Sequence, residues 1–182
     1  MILDKVILLH NEAHIAMHET YHANAGMGGK VRAARGNLVE TIVGMLWKDI
    51  HADNAVNHVK HPVTRNGFTI NKALDCNLYK SGNLVGMVEC KAYLDSCYLE
   101  RAVSDAEELK HSGYNVPLAV VALEDSLDSV ALQYWLSKGS LDKVFFLVDG
   151  KRSSSKPLYQ KEYFKPIQLP RLYNLIEWMQ AL

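Results

Sequence analysis

The run Val116-Pro117-Leu118-Ala119-Val120-Val121-Ala122-Leu123 constrains the fold of this chain more than any other stretch. It is apolar throughout and lacks the polar alternation of a half-exposed strand, so both of its faces need cover. Such a strand belongs inside a sheet, with helices above and below. Its neighbours fit that setting. Ser96 to Ser112 has the spacing of an amphipathic helix and stops at Gly113; Leu127 to Lys138 reads as another and stops at Gly139. Val144 to Val148 is a second short buried strand. Strands and helices in alternation give parallel crossover connections.

Upstream the pattern differs. Phe68 to Tyr79 and Asn83 to Ala92 read as strands joined by the turn Lys80-Ser81-Gly82-Asn83, which makes a hairpin. Asp4 to Asn24 reads as a helix ended by Gly26, Gly28 and Gly29, and Gly28 to Gly36 as a short basic, Gly-rich loop. Asn37 is a plausible N-cap for a second helix reaching Ile50. Residues 51–67 look like an irregular connection, Lys151 to Lys165 a polar, basic loop, and Leu172 to Leu182 a terminal helix. The fold class expected is α/β: a single domain with a mixed central β-sheet, hairpin plus βαβ crossovers, flanked by helices. Within it, residues 1–36 form the N-terminal helix and basic loop, 37–150 the core, and 151–182 the late loop and last helix.

A chain of 182 residues buries a core of ordinary size without staples, and its 48% apolar and 22% charged content is that of a globular domain. No apolar run is long enough to span a bilayer, and the N-terminus lacks the features of a secretory signal. Three cysteines without CxxC spacing, Cys76, Cys90 and Cys97, suit free thiols in a reducing, cytoplasmic setting. The formal net charge is zero, which argues against indiscriminate gripping of nucleic acid; basic groups would need to gather on one face.

The hairpin carries the chemistry. In Met87-Val88-Glu89-Cys90-Lys91-Ala92, Glu89 and Lys91 share one face, while Leu84, Gly86, Val88, Cys90 and Ala92 share the other. On the preceding strand Leu74, Cys76 and Leu78 form the apolar face and Asp75 points away from it. Pairing about the turn brings Asp75 near Glu89. Two carboxylates suit Mg²⁺, which keeps several waters and binds through one or two carboxylates plus phosphate oxygens. An ammonium beside them can orient an attacking water or neutralise developing charge. An exposed cross-sheet ion pair is the bland alternative.

Asp75, thirteen intervening residues, then Glu89-Cys90-Lys91 resembles the PD-(D/E)XK nuclease signature, with Leu74 in place of the Pro. The resemblance covers roughly residues 36–150 and implies a restriction-endonuclease-like fold and a type II site-specific endonuclease. In that reading Asp75 and Glu89 bind Mg²⁺, Lys91 assists the water, duplex DNA is cut to leave 5′-phosphates, and the chain acts as a homodimer. Glu40 matches the Glu that such enzymes often add from an upstream helix; Asn37-x-x-Glu40 also fits a capping box. A repair or junction nuclease of the same superfamily, or a noncatalytic DNA-binding protein, are the related alternatives.

A rival motif lies in the first helix. His10, His14, His18 and His22 recur every four residues, and His18-Glu19-Thr20-Tyr21-His22 is literally H-E-x-x-H, the pattern of a zinc metalloprotease. Against it, the motif precedes any sheet that could frame a cleft, Asn24 follows where an apolar residue is usual, and the hairpin carboxylates stay unexplained. The plain alternative is a solvated or interface stripe.

For DNA contact the candidates are Lys30, Arg32 and Arg35 in the Gly-rich stretch, then Arg65, Asn66 and Asn71 beside the first hairpin strand. Lys151, Arg152, Lys156 and Lys161 line the late loop. Tyr93, Tyr98 and Arg101 follow the Glu89–Lys91 strand as packing or supporting residues.

Overall fold

The computed structural model describes residues 1–23, 28–127, 129–149 and 165–182. Two long helices come first, α1 (Ile2–Ala23) and α2 (Gly28–His51). Short strands β1 (Ala55–Asn57), β2 (Lys60–Arg65), β3 (Phe68–Ala73) and β4 (Cys76–Lys80) lead into the long β5 (Asn83–Leu94). Then come α3 (Ser96–His111), β6 (Leu118–Asp125), α4 (Ser129–Leu136), β7 (Lys143–Phe146) and α5 (Leu169–Gln180). Among the described residues the main sheet has five strands in the order β1-β4-β5-β6-β7, and β2 and β3 pair separately. β1, β4 and β5 run antiparallel; β5, β6 and β7 run parallel. This is the mixed α/β sheet expected, with the hairpin on one side and crossovers on the other.

β6 is buried over its first seven residues and divides two cores. Val121 and Leu123 pack with Ile42, Leu46 and Trp47 of α2 and with Leu172 and Met179 of α5. Val120 and Ala122 pack on the opposite face with Leu99, Val103 and Leu109 of α3. Asp95 starts α3 by accepting the Tyr98 backbone N–H at 2.9 Å, a cap that satisfies one of the free amides of the first turn.

Four expectations are corrected. The stretch Gly28 to Gly36 is no loop: it is the first part of α2. Lys30-Val31-Arg32-Ala33-Ala34-Arg35 consists largely of good helix formers, Val31 and Leu38 are buried, and the packing of α1 on α2 offsets the glycines. Asn37 is therefore helix interior, where its backbone carbonyl accepts the Thr41 hydroxyl, and no capping box forms. Residues 51–67 contain β1 and β2; Pro62 is tolerated because β2 has a single neighbour. Finally, the expected strand Phe68 to Tyr79 breaks at Leu74-Asp75, where the chain passes from the small sheet to the large one.

That break, and a bulge, reassign two side chains. Leu78 pairs with Gly86 but Tyr79 with Leu84, which leaves Val85 as an extra residue in β5. Leu84 therefore packs in the α3-side core with Met87 and Leu74, away from Val88, Cys90, Cys76 and Leu78 on the α2 side.

α1 lies on α2 with His10 and His14 turned inward, only 3% and 9% exposed, so neither belongs to a solvated stripe. Burial pushes His10 down to about 4, with Arg35 of α2 and His14 adding to the effect and a hydrogen bond with Asn11 opposing it. Folding thus favours the neutral ring. The stability this gives is complete above pH 6.5, the unfolded value, and is lost as pH falls from 6.5 towards 4. The expected loss is on the order of 3 kcal/mol at the acid end. Denaturant melts of wild type and His10→Gln across that window test it; parallel pH profiles would disprove the assignment.

Candidate active site

Asp75 sits at the junction of β3 and β4, and the pairing of Cys76 with Val88 sets it beside Glu89 of β5. Its Oδ2 accepts the Cys90 backbone N–H at 2.8 Å and the Lys91 ammonium at 3.3 Å. Lys91 also bonds Glu89 Oε1. One ammonium thus touches two carboxylates, one from the β3–β4 junction and one from β5. All three side chains are largely buried, between 17% and 23% exposed, which strengthens each interaction relative to water.

Burial pushes Glu89 up to about 7; Asp75 adds to this and Lys91 opposes it. For Lys91, burial alone would lower the pKa, but Glu89 and Asp75 outweigh it and hold the ammonium above its ordinary value. Glu40 of α2 joins from the other side of β5. It is raised by burial and then by the charge of Asp75, while His58 and Lys91 pull it down.

A cleft of about 480 Å³ opens here, lined by Arg32, Glu40, Asp75, Lys91, Tyr93 and Tyr98 among others. Glu89 does not line it and reaches the site through Lys91. Tyr93 and Tyr98 meet edge to face at 5.6 Å and form an aromatic wall. Tyr98 is raised chiefly by Tyr93, and Arg32 acts against that shift, so the guanidinium is close to this wall.

Among the described residues no three His, Cys, Asp or Glu side chains converge as a ready-made metal cage. A Mg²⁺ ion needs none, because it keeps waters and takes one or two carboxylates. Asp75 and Glu89 both bond the Lys91 ammonium, and these two hard oxygen donors are of the kind that suits such an ion. Zinc sites draw more on His nitrogen and Cys sulfur. The helix α1 builds no zinc site among the described residues, and the His22 side chain lies outside them. Glu40, the carboxylate that a zinc site on α1 would have sought, bonds Asn57 and His58 instead.

The other expected DNA contacts separate. Lys30 and Arg32 are exposed on α2, and Arg32 alone of them lines the cleft. Arg35 is corrected: it is 5% exposed and bonds Glu124 of β6 at 2.7 Å, so its guanidinium faces the interior. Arg65, Asn66 and Asn71 are exposed on the β2–β3 hairpin, with Arg65 3.5 Å from Glu108. Lys151, Arg152, Lys156 and Lys161 lie outside the described residues.

Sequence reasoning missed Asn57 and His58, which reach the site from the end of β1 and the turn after it. Asn57 Nδ2 donates to Glu40 Oε2 at 3.3 Å, and His58 Nε2 lies 3.2 Å from the same oxygen. Nothing in the local pattern of residues 51–67 marks them.

No family model matches the chain. The type II restriction enzyme DdeI of Desulfomicrobium norvegicum is 23% identical over 227 aligned positions, which take in 98% of this chain and 94% of that enzyme. The chain is similar to a type II restriction enzyme over nearly its whole length. Among solved structures, the native BbvCI A2B2 tetramer aligns with 98% of this chain and 88% of its own, at 10% identity and a TM-score of 0.46. No helix among the described residues is long and apolar enough to cross a membrane.

Proposed function

We propose that this chain is a Mg²⁺-dependent, site-specific endonuclease that hydrolyses duplex DNA and leaves 5′-phosphates. The observation that carries the reading is the convergence of Asp75 and Glu89 on the Lys91 ammonium at one end of a cleft. The whole-chain likeness to DdeI supports it.

Asp75 and Glu89 would hold Mg²⁺, which supplies charge stabilisation at phosphorus and a more acidic water. Asp75 is fixed for this by the Cys90 amide, so its carboxylate needs little reordering. Lys91 holds the attacking water by its ammonium and offsets negative charge as the phosphorus becomes five-coordinate. The water oxygen bonds to phosphorus and gives up a proton as the bond to the 3′ oxygen breaks; the 3′ oxygen takes up a proton, and the phosphate stays on the 5′ side. Arg32, at the rim of the cleft, would bind a neighbouring phosphate. Lys30, Arg65 and Asn66 are proposed as outer contacts. A chain of this size carries one such site, so cutting both strands calls for a symmetric homodimer.

Incubating the purified chain with phage-length duplex DNA tests the reading. Discrete fragments with Mg²⁺ and none with EDTA are expected. A smear would keep the chemistry and move the assignment to a repair or junction nuclease. Intact DNA under Mg²⁺ and Mn²⁺ would overturn the proposal.

A further inference from the structure

We propose that His58 is a positioning residue: it holds Glu40 alongside Asp75 and so completes the carboxylate set of the cleft, an inference that rests on the nuclease reading for its use.

Glu40 and Asp75 arrive from different directions, one on α2 and one at the β3–β4 junction, and as like charges they repel. The His58 ring lies between them. Its Nε2 is 3.2 Å from Glu40 Oε2, and its Nδ1 is 3.9 Å from Asp75 Oδ1. Asn57 Nδ2 adds a second contact to the same Glu40 oxygen. The two residues form a polar strap across both carboxylates.

The backbone is built for this. His58 has φ of 54°, in the left-handed region, which is unfavourable for a non-glycine residue. Its N–H donates to the Asp75 carbonyl at 3.1 Å, so the turn is tied to the residue whose side chain it serves. On the strap's other side, Asn57 pairs with Cys76, the residue after Asp75. Backbone strain kept beside converging charges points to use rather than packing. Packing is also a poor account of the ring itself. The His58 side chain is 61% exposed, against 12% for Glu40 and 18% for Asp75. An exposed pair of this kind adds little to stability, so its removal should leave the fold intact.

Two substitutions of the full chain separate the possibilities. Asn tolerates the left-handed backbone but is too short to span the two carboxylates, whereas Gln can still donate to Glu40. Mn²⁺ binding to the DNA-free protein is read by calorimetry, and the Mg²⁺ dependence of cleavage is read separately. For His58→Asn, Mn²⁺ affinity and the Mg²⁺ requirement should each worsen about tenfold, the scale seen when a partner of a metal ligand is lost. Thermal midpoint should hold, and His58→Gln should recover most of the affinity. Unchanged or tighter Mn²⁺ binding in His58→Asn overturns the inference. So does a fall in midpoint with equal loss of affinity in both variants, which would mark a structural role. If the wild type binds Mn²⁺ but cuts no DNA, the nuclease reading fails while the positioning role stands. If the wild type cuts and His58→Asn binds metal normally, only the positioning role fails.

Discussion

Lys91→Ala is expected to lower the rate of DNA cleavage by at least about 100-fold, while DNA still binds in Ca²⁺. The ammonium is the one cation in direct contact with both hairpin carboxylates among the described residues. Those carboxylates hold it charged in spite of its burial. Removing it takes away the group that faces the attacking water and leaves Asp75 and Glu89 to repel each other. Glu89 already stands near 7 because of burial, and Lys91 is what restrains it. In the metal-free variant Glu89 is therefore pushed further towards its protonated form. Lys91→Arg should fail nearly as badly, because a planar guanidinium fork cannot take the place of a compact ammonium between two oxygens. Single-turnover cleavage, with binding measured separately, decides the point. A rate within a few-fold of wild type would reduce Lys91 to a static ion pair and leave the chemistry to other residues.

Why the site could be read so far from the sequence is a matter of range. Asp75, Glu89 and Lys91 lie within 17 residues about the Ser81-Gly82 turn, where both residues have positive φ, and the bulge at Val85 completes the register that sets Asp75 beside Glu89. Alternation then places Glu89 and Lys91 together without knowledge of anything distant. The buried β6 and the capped α3 are legible for the same reason: each is declared by its own residues. Glu40 is intermediate. Its isolation on an apolar helix is a local signal, but its meeting with Asp75 depends on how α2 crosses β5. Asn57 and His58 are beyond that range. Their placement needs β1 to pair with β4, a contact some 20 residues away in sequence, and a left-handed turn that no pattern announces. The start of α2 fails to show for a related reason. Its glycines argue for a loop, and only packing against α1, together with the pairing of Arg35, reverses that local preference.

That pairing gives the second large effect: Glu124→Ala should destabilise the fold by about 3–5 kcal/mol. Arg35 and Glu124 are 5% and 1% exposed, and they bond at 2.7 Å across the interface between α2 and β6. Neither can recover water if the other is removed. Truncating Glu124 strands a guanidinium that cannot shed its charge, beside the buried His10 that it already influences. A drop in thermal midpoint on the order of 10 °C follows for a domain of this size. The double variant Arg35→Met with Glu124→Leu should regain most of the loss, because the desolvation cost of both charges disappears with them. The pair also bears on the cleft. Glu124 lies opposite Tyr93 in the sheet, and Arg35 is within two turns of both Arg32 and Glu40 on the same helix. The double variant can therefore be stable and still cut poorly, if seating α2 on β6 is what aligns Glu40 with Asp75. Denaturant melts and cleavage rates on wild type and the two variants separate stability from alignment: a loss below about 1 kcal/mol in Glu124→Ala would mean that the pair is reached by water and anchors nothing.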